Sequence, residues 1–191
     1  MKPFVASGDI AIRHMRDDDD DYLLKSRWLS DERVLEFYEG RDNPHDPAKV
    51  RLKYGPRARG QGDPAPCMLV YRGTPVGYMQ YYSVEGSSAG KLGIEATKGI
   101  YGVDLFIGLP ELWDKGIGTA ALSALVGYLS DDMGALRIVI DPRVSNSRAI
   151  RCYEKCGFKM KKLLPGRKLH EGEYWDCRLM AISRENFAGA N

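Results

Sequence analysis

Two glycines that open an apolar helix make a place to hold phosphate, and this chain has them in Lys115-Gly116-Ile117-Gly118-Thr119. The glycines let an anion approach the backbone. The first N–H groups of the helix have no partner within it and carry the positive end of its dipole. Ala121, Leu122, Leu125, Val126 and Leu129 recur at helical spacing and signal that helix. A second feature with chemical content is Asp104, an acid in the middle of the apolar strand Ile100 to Ile107. An ionised carboxylate among apolar neighbours needs a partner or water, so Asp104 stands either at a cleft or in local hydrogen bonds. Glu36-Phe37-Tyr38-Glu39 combines acids with aromatics just before a flexible stretch. It reads equally as the lining of a cleft for a polycation or as a half-buried helix end. Asp176 alternates with Trp175 and Cys177 and is expected on the same cleft as Asp104.

The anion turn has more than one reading. Gly116 to Ala121 fits G-x-G-x-x-[GA], with Asp141 about 20 residues on at the end of an apolar run, as a dinucleotide-binding fold requires. Against it, seven residues from Gly108 to Asp114 separate strand from turn, where a dinucleotide fingerprint joins them directly. A P-loop is excluded because no G-x-x-x-x-G-K-[ST] occurs.

The elements that must carry these residues follow from patterning. Asp9 to His14 alternates and predicts a first strand, and the acids Asp17 to Asp21 start a helix through Leu24 and Trp28. That acid run is read as cap and dipole chemistry rather than a ligand site. Ser30 to Gly40 predicts a second short helix, followed by a Gly- and Pro-rich stretch with a small helix at Val50 to Tyr54. Cys67 to Tyr71 and Val76 to Tyr82 flank a turn and predict a hairpin, while residues 83–99 lack periodicity and are expected to form a flap. Leu136 to Ile140 predicts a strand, a further helix carries Cys152 and Cys156 on one face, and Phe158 to Leu164 with Glu173 to Ile182 predict a final strand pair joined by PGRKLHEG. Residues 183–191 read as a frayed tail.

Composition narrows the classes. At 191 residues with 43% hydrophobic content the chain is expected to be one domain, 1–191. Its 28 basic and 26 acidic residues nearly cancel, so no nucleic-acid partner is implied. No window reaches the length of a membrane span and the N-terminus lacks a long apolar core, so a cytoplasmic location without membrane attachment is expected. With Cys67, Cys152, Cys156 and Cys177 scattered and three histidines, the cysteines read as packing residues and no metal site is suggested.

After the strand ending at Ile140 stands N-S-R-A-I-R-C-Y-E-K-C-G-F, Asn146 to Phe158. With the glycine turn, this segment resembles the GCN5-related N-acetyltransferase (GNAT) superfamily. The resemblance implies an α/β (α+β) fold, a single domain with a central mixed, mostly antiparallel sheet and helices on both faces. It also implies that the turn at Lys115 to Thr119 holds the pyrophosphate of acetyl-CoA, and that Asn146, Ala149 and Tyr153 serve the pantetheine arm, in an acetyl-CoA-binding core at about 100–164. Trp113 departs from the family, which often carries Gln or Arg there.

Acetyl transfer from a thioester to an amine needs a held donor, a neutral amine, a stabilised oxyanion and a protonated leaving thiolate. Leu105, Phe106 and Ile107 can pair with the amide-bearing arm like an added strand, with a strand N–H such as that of Phe106 for the oxyanion. Tyr153 is expected as general acid, since a neutral tyrosine, reference pKa about 10, can donate to a developing thiolate. Its other reading is core packing beside Ile150 and Phe158. Asp104 is expected to bind the amine and act as base, directly or through water. Asn146 reads as helix cap, cofactor contact or both, and Asp141 as a second carboxylate or a turn residue before Pro142.

Gly77 to Tyr82, Tyr101 to Asp104, Asp141-Pro142 with Ser145-Asn146, and Val34 to Gly40 further resemble aminoglycoside 6′-N-acetyltransferases. This implies that Glu36, Phe37, Tyr38, Glu39, Gln80, Asp104, Asp141 and Asp176 face a polyamine antibiotic, each charge-assisted bond contributing ~1.5–3 kcal/mol. Another amine, such as a siderophore hydroxylamine or a protein N-terminus, and a CoA-binding sensor without turnover remain as alternatives. The preferred antibiotic is left open, as is monomer against homodimer.

Overall fold

The computed structural model describes residues 2–95 and 97–189. Its strands are β1 (Val5–Ser7), β2 (Ile10–His14), β3 (Ala65–Tyr71), β4 (Thr74–Ser83), β5 (Ile100–Ile107), β6 (Arg137–Ile140), β7 (Lys159–His170) and β8 (Glu173–Ser183). They form one mixed sheet in the order β1-β2-β3-β4-β5-β6-β8-β7, antiparallel except for the parallel β5–β6 pair. The α-helices are α1 (Asp19–Trp28), α2 (Glu32–Leu35), α3 (Pro47–Ala58), α4 (Gly86–Leu92), α5 (Ile117–Asp131) and α6 (Ser147–Lys155). The chain divides into two compact units, Met1–Tyr81 with Asp104–Ala121, and Tyr82–Val103 with Leu122–Asn191.

In the first unit the acid run does what helix electrostatics asks. Asp18 caps α1 by accepting from the Asp21 N–H, and Asp19, Asp20 and Asp21 occupy the first turn. The buried face of α1 presents Tyr22, Lys25, Ser26 and Trp28. Tyr22 and Trp28 join Met15, Leu29, Val34, Leu35, Val50, Tyr54, Met68 and Tyr78 in one core. Phe106 of β5 and Trp113 pack against it. Gln80 of β4 and Asp104 of β5 meet through their side chains, and the Gly108 N–H donates to the Val76 carbonyl, so β4 runs antiparallel to β5 here. That approach needs Gly77: a Cβ built there would lie 2.3 Å from the Phe106 carbonyl oxygen.

In the second unit Val84, Ala89, Leu92, Ile100, Val139, Leu179 and Ala181 form the core. This corrects the expected flap at 83–99. Gly86 to Leu92 is helical, and Val84, Ala89 and Leu92 are at most 3% exposed, so the segment is packed wall; residue 96 lies outside the described residues. The last two strands are also longer than expected. Most of PGRKLHEG belongs to β7, and the register shift between Leu164 and Lys168 absorbs Pro165 and Gly166 as a bulge. The helix expected at Val50 to Tyr54 extends over Pro47–Ala58, capped by Asp46 with Pro47 at its start. Residues 184–189 form a 3₁₀ turn rather than a frayed tail, with Phe187 buried, and residues 190 and 191 lie outside the described residues. Among the described residues no helix is long and apolar enough to cross a membrane.

Candidate functional site

The first unit contains the anion turn. Asp114 and Gly116 both take positive φ, 58° and 79°, before α5 starts at Ile117. Asp tolerates the left-handed region at 58°, whereas the 79° of Gly116 favours glycine, and a Cβ built at Gly116 meets nothing within 4 Å. Exposed backbone with open space before it, at the start of a 15-residue helix, fits a diphosphate. Trp113 anchors this turn, because its indole N–H donates to the Ile107 carbonyl (2.9 Å). The indole thus ties the turn to the end of β5. Residues Leu105 to Ile107 are half-buried, and the registered pairing of β5 with β6 covers Ile100–Gly102.

Asp104 is half-buried on β5 and accepts from the side-chain amide of Gln80 (2.7 Å). The Gln80 carbonyl oxygen in turn accepts from the Tyr78 hydroxyl (2.8 Å). The chain Tyr78 to Gln80 to Asp104 therefore points donors at the carboxylate and fixes its direction. Tyr38 stacks at a tilt on Phe106, 4.6 Å between ring centroids. Burial and the nearby hydroxyls and acids push its phenol well above the ordinary tyrosine range, so it is a neutral donor. Glu36 and Phe37 are half-buried at and just after the end of α2.

Glu39 departs from the expected substrate-facing role. At φ 72° it turns its carboxylate onto Lys53 and the Tyr54 hydroxyl (2.9 Å), with His45 Nε2 at 3.7 Å. It is neutralised by the protein's own groups. His45 is buried with neither ring nitrogen in a hydrogen bond, and burial lowers its pKa to about 4.

In the second unit Asn146 caps α6 by accepting from the Ala149 N–H (3.1 Å), one of the two roles read for it. Tyr153 is 7% exposed, its ring 6.3 Å from that of Phe158. Asp141 is 5% exposed at the end of β6 and lies 3.0 Å from both Arg167 Nε and Lys168 Nζ. Asp176 is exposed and its carboxylate accepts from the Gly166 N–H (2.8 Å), bracing the β7 bulge. Both acids thus have partners within this unit.

Sequence patterning missed Tyr54, Tyr78, Arg167, Lys168 and above all Lys25. Lys25 is fully buried, its Nζ 2.8 Å from the centroid of the Tyr78 ring. The available signal was spacing, since Lys25 shares the face of Tyr22 and Leu29 at three and four residues' remove.

Known proteins similar to this chain bear on the geometry. Residues 17–164 match the acetyltransferase (GNAT) domain family. The aminoglycoside N(6′)-acetyltransferase type 1 of Klebsiella pneumoniae is 34% identical over 139 residues, 73% of this chain and 69% of that one. An N5-hydroxyornithine acetylase, sidL, of Beauveria bassiana is 31% identical over 148 residues, 76% of this chain and 26% of that one. Among solved structures, AAC(6′)-Ib in complex with ribostamycin and coenzyme A superposes with a TM-score of 0.78 at 28% identity, covering 95% of this chain and 97% of that one.

Proposed function

The chain belongs to the GNAT acetyltransferase family, and from that premise we propose that this acetyl-CoA-dependent N-acetyltransferase acetylates the 6′-amine of an aminoglycoside. We read residues 1–191 as a single acetyltransferase domain with its acetyl-CoA core at about 100–164. The observation that carries the reading is Asp104, a half-buried carboxylate aimed by the Tyr78–Gln80 donor chain on the strand that continues into Leu105 to Ile107.

The chemistry assigns each group one task. The N–H groups at Lys115 to Thr119 hold the diphosphate of acetyl-CoA. The Leu105 to Ile107 backbone pairs with its amide-bearing arm, and the Phe106 N–H meets the charge that develops on the thioester oxygen. A substrate amine is mostly ammonium at neutral pH, with the lysine reference of about 10.4 as scale. Asp104 binds that ammonium and takes its proton, directly or through water, leaving a neutral nitrogen to attack the acetyl carbon. Tyr153 returns a proton to the departing thiolate. Asn146 and Ala149, at the start of α6, serve the pantetheine arm. Glu36, Phe37, Tyr38 and Gln80 line the amine side. Asp141 and Asp176 meet substrate cations only where these displace Arg167, Lys168 or the Gly166 N–H. The scheme calls for no metal, nucleic acid or membrane.

The test is thiol release from acetyl-CoA with kanamycin, tobramycin, a lysine-like hydroxylamine and a peptide N-terminus. Turnover of an aminoglycoside, with the new amide located at the 6′-nitrogen by NMR, supports the reading. Turnover of the hydroxylamine alone would move the assignment to the chemistry named for the Beauveria bassiana relative.

A further inference from the structure

Lys25 is a buried amine to which the acetyl-transfer scheme gives no task. Its residue exposure is 0%, and its Nζ has no hydrogen-bond partner. Instead the Nζ sits among four rings: 2.8 Å from the Tyr78 centroid, 4.0 Å from Tyr54, 5.2 Å from Phe106 and 5.7 Å from Tyr38. Each ring face attracts an ammonium. Removing that ammonium from water costs more than the rings return, so the cage offsets the desolvation only in part. Burial accordingly lowers the pKa of Lys25 well below the ordinary lysine value, with Glu39 opposing the shift and Lys53 and Arg57 adding to it. His45, and through the Tyr78 and Tyr38 rings Asp104 and Cys67, are further titratable neighbours of this set. An amine so placed costs stability, and packing alone would be served better by an apolar side chain of the same length.

The ring that Lys25 touches most closely heads the donor chain to the carboxylate. Tyr78 donates to Gln80, and Gln80 donates to Asp104. We propose that Lys25 is a positioning residue for acetyl transfer: seated on the face of the Tyr78 ring, it sets the donor strength of the Tyr78–Gln80–Asp104 chain and so the affinity of Asp104 for the substrate's proton. A cation over the ring draws electron density from the phenol, strengthens the O–H donor and, through the polarised amide, stabilises the Asp104 anion. When Lys25 loses its proton the donors weaken and Asp104 becomes a better base. The inference rests on the reading of Asp104 as the group that handles the amine, but one arm of its test does not.

That arm is the ¹³Cγ resonance of Asp104, identified by its loss in Asp104→Asn and titrated in the wild type, Lys25→Met, Tyr78→Phe and the double variant. The expected result is an Asp104 titration raised by about half a unit or more in each single variant, and no further in the double. An Asp104 curve unmoved by Lys25→Met, or single-variant shifts that simply add in the double, overturns the proposal. In the kinetic arm, the acid limb of the kcat/KM profile for the accepted amine moves to higher pH in Lys25→Met together with the Asp104 curve, with CoA affinity unchanged. A pH–rate profile superimposable on the wild type overturns the positioning role even if the resonance moves. Stability separates this from a packing role. The wild type carries the cost of a neutral buried amine below the unfolded pKa of about 10.4, so Lys25→Met melts at or above the wild type at neutral pH, by a margin that shrinks as pH rises towards that value. Should Lys25→Met not fold, the wild-type Asp104 curve carries the test alone. It must show a second inflection where the Lys25 ¹⁵Nζ titrates, and its absence overturns the coupling. A wild type inert towards every amine refutes the proposed function, while the resonance still decides the role of Lys25.

Discussion

A carboxylate that takes a proton from an ammonium must be aimed. Asp141 lies between Arg167 and Lys168 and Glu39 against Lys53, and Asp104 is directed by the Gln80 amide, which the Tyr78 hydroxyl holds in turn. Asp104→Asn should therefore lower kcat/KM by about 10²–10⁴, the usual range for a lost general base, with CoA affinity unchanged by titration calorimetry. A loss of CoA affinity instead would make Asp104 a cofactor residue. Asp21 is the opposite kind of acid. Fully buried, it takes two bonds of 2.6 Å from Arg13 and one of 2.7 Å from the Arg16 N–H. Burial pushes its carboxyl up, but these donors outweigh it and hold the pKa below the ordinary value. Asp21→Asn leaves Arg13 without its counter-charge and should cost about 3–5 kcal/mol in urea unfolding at neutral pH. The sign follows from the depressed pKa: the contribution is complete above about pH 3.9, the unfolded value, and is lost as pH falls through the lower folded one. The stability gap between wild type and Asp21→Asn should narrow in that acid range. The sequence put the acid run correctly at a helix start. That Asp21 was a buried ion-pair partner was hidden, because Arg13 is eight residues away on β2.

At the scale of elements, strands and helices with a clear period were legible and those without one were not. β2 came from alternation, β4 and β5 from apolar runs bounded by turns, and α5 from helical spacing. α4 did not, because Gly86-Ser87-Ser88-Ala89-Gly90 has weak helix propensity and its helicity rests on tertiary packing of Ala89 and Leu92. β7 was truncated for a related reason: Pro165 and Gly166 read as a loop, while a bulge lets a strand carry both. The three residues of β1 give too short a run for any pattern. The β4–β5 approach was not legible either, since Gly77 has no motif, only a lack of room. Gly77→Ala should force its Cβ against the Phe106 carbonyl and cost about 1–3 kcal/mol, read as a lower urea midpoint with unchanged slope. Phe106 is also the strand residue proposed for the thioester oxygen, so kcat should fall more than the small population of unfolded protein explains. Wild-type stability and rate in Gly77→Ala would mean that the strands separate without consequence.

Over the whole molecule, a formal charge of +2 gives little long-range field to draw in either a polyanionic cofactor or a polycationic amine. Affinity has to come from local geometry, and the turn before α5 makes that testable against the dinucleotide reading that the glycine pattern also allowed. A ligand present at about a hundred times its Kd and bound only to the folded state adds about 2.7 kcal/mol. For a chain of this length each kcal/mol moves Tm by about 2–4 °C, so saturating CoA should raise Tm by about 5–10 °C. NAD⁺ offers a diphosphate to the same N–H groups but no amide-bearing arm for Leu105 to Ile107. It should move Tm by a small fraction of that at equal concentration. Gly116→Ala separates the two contributions. Its φ of 79° strains any side chain, and its Cβ points into the open space before the turn, so both the apo Tm and the CoA-induced shift should fall. Equal shifts with CoA and NAD⁺ would mean that the diphosphate alone is recognised. An undiminished CoA shift in Gly116→Ala would move the cofactor away from this turn and remove the basis for aiming its thioester along β5.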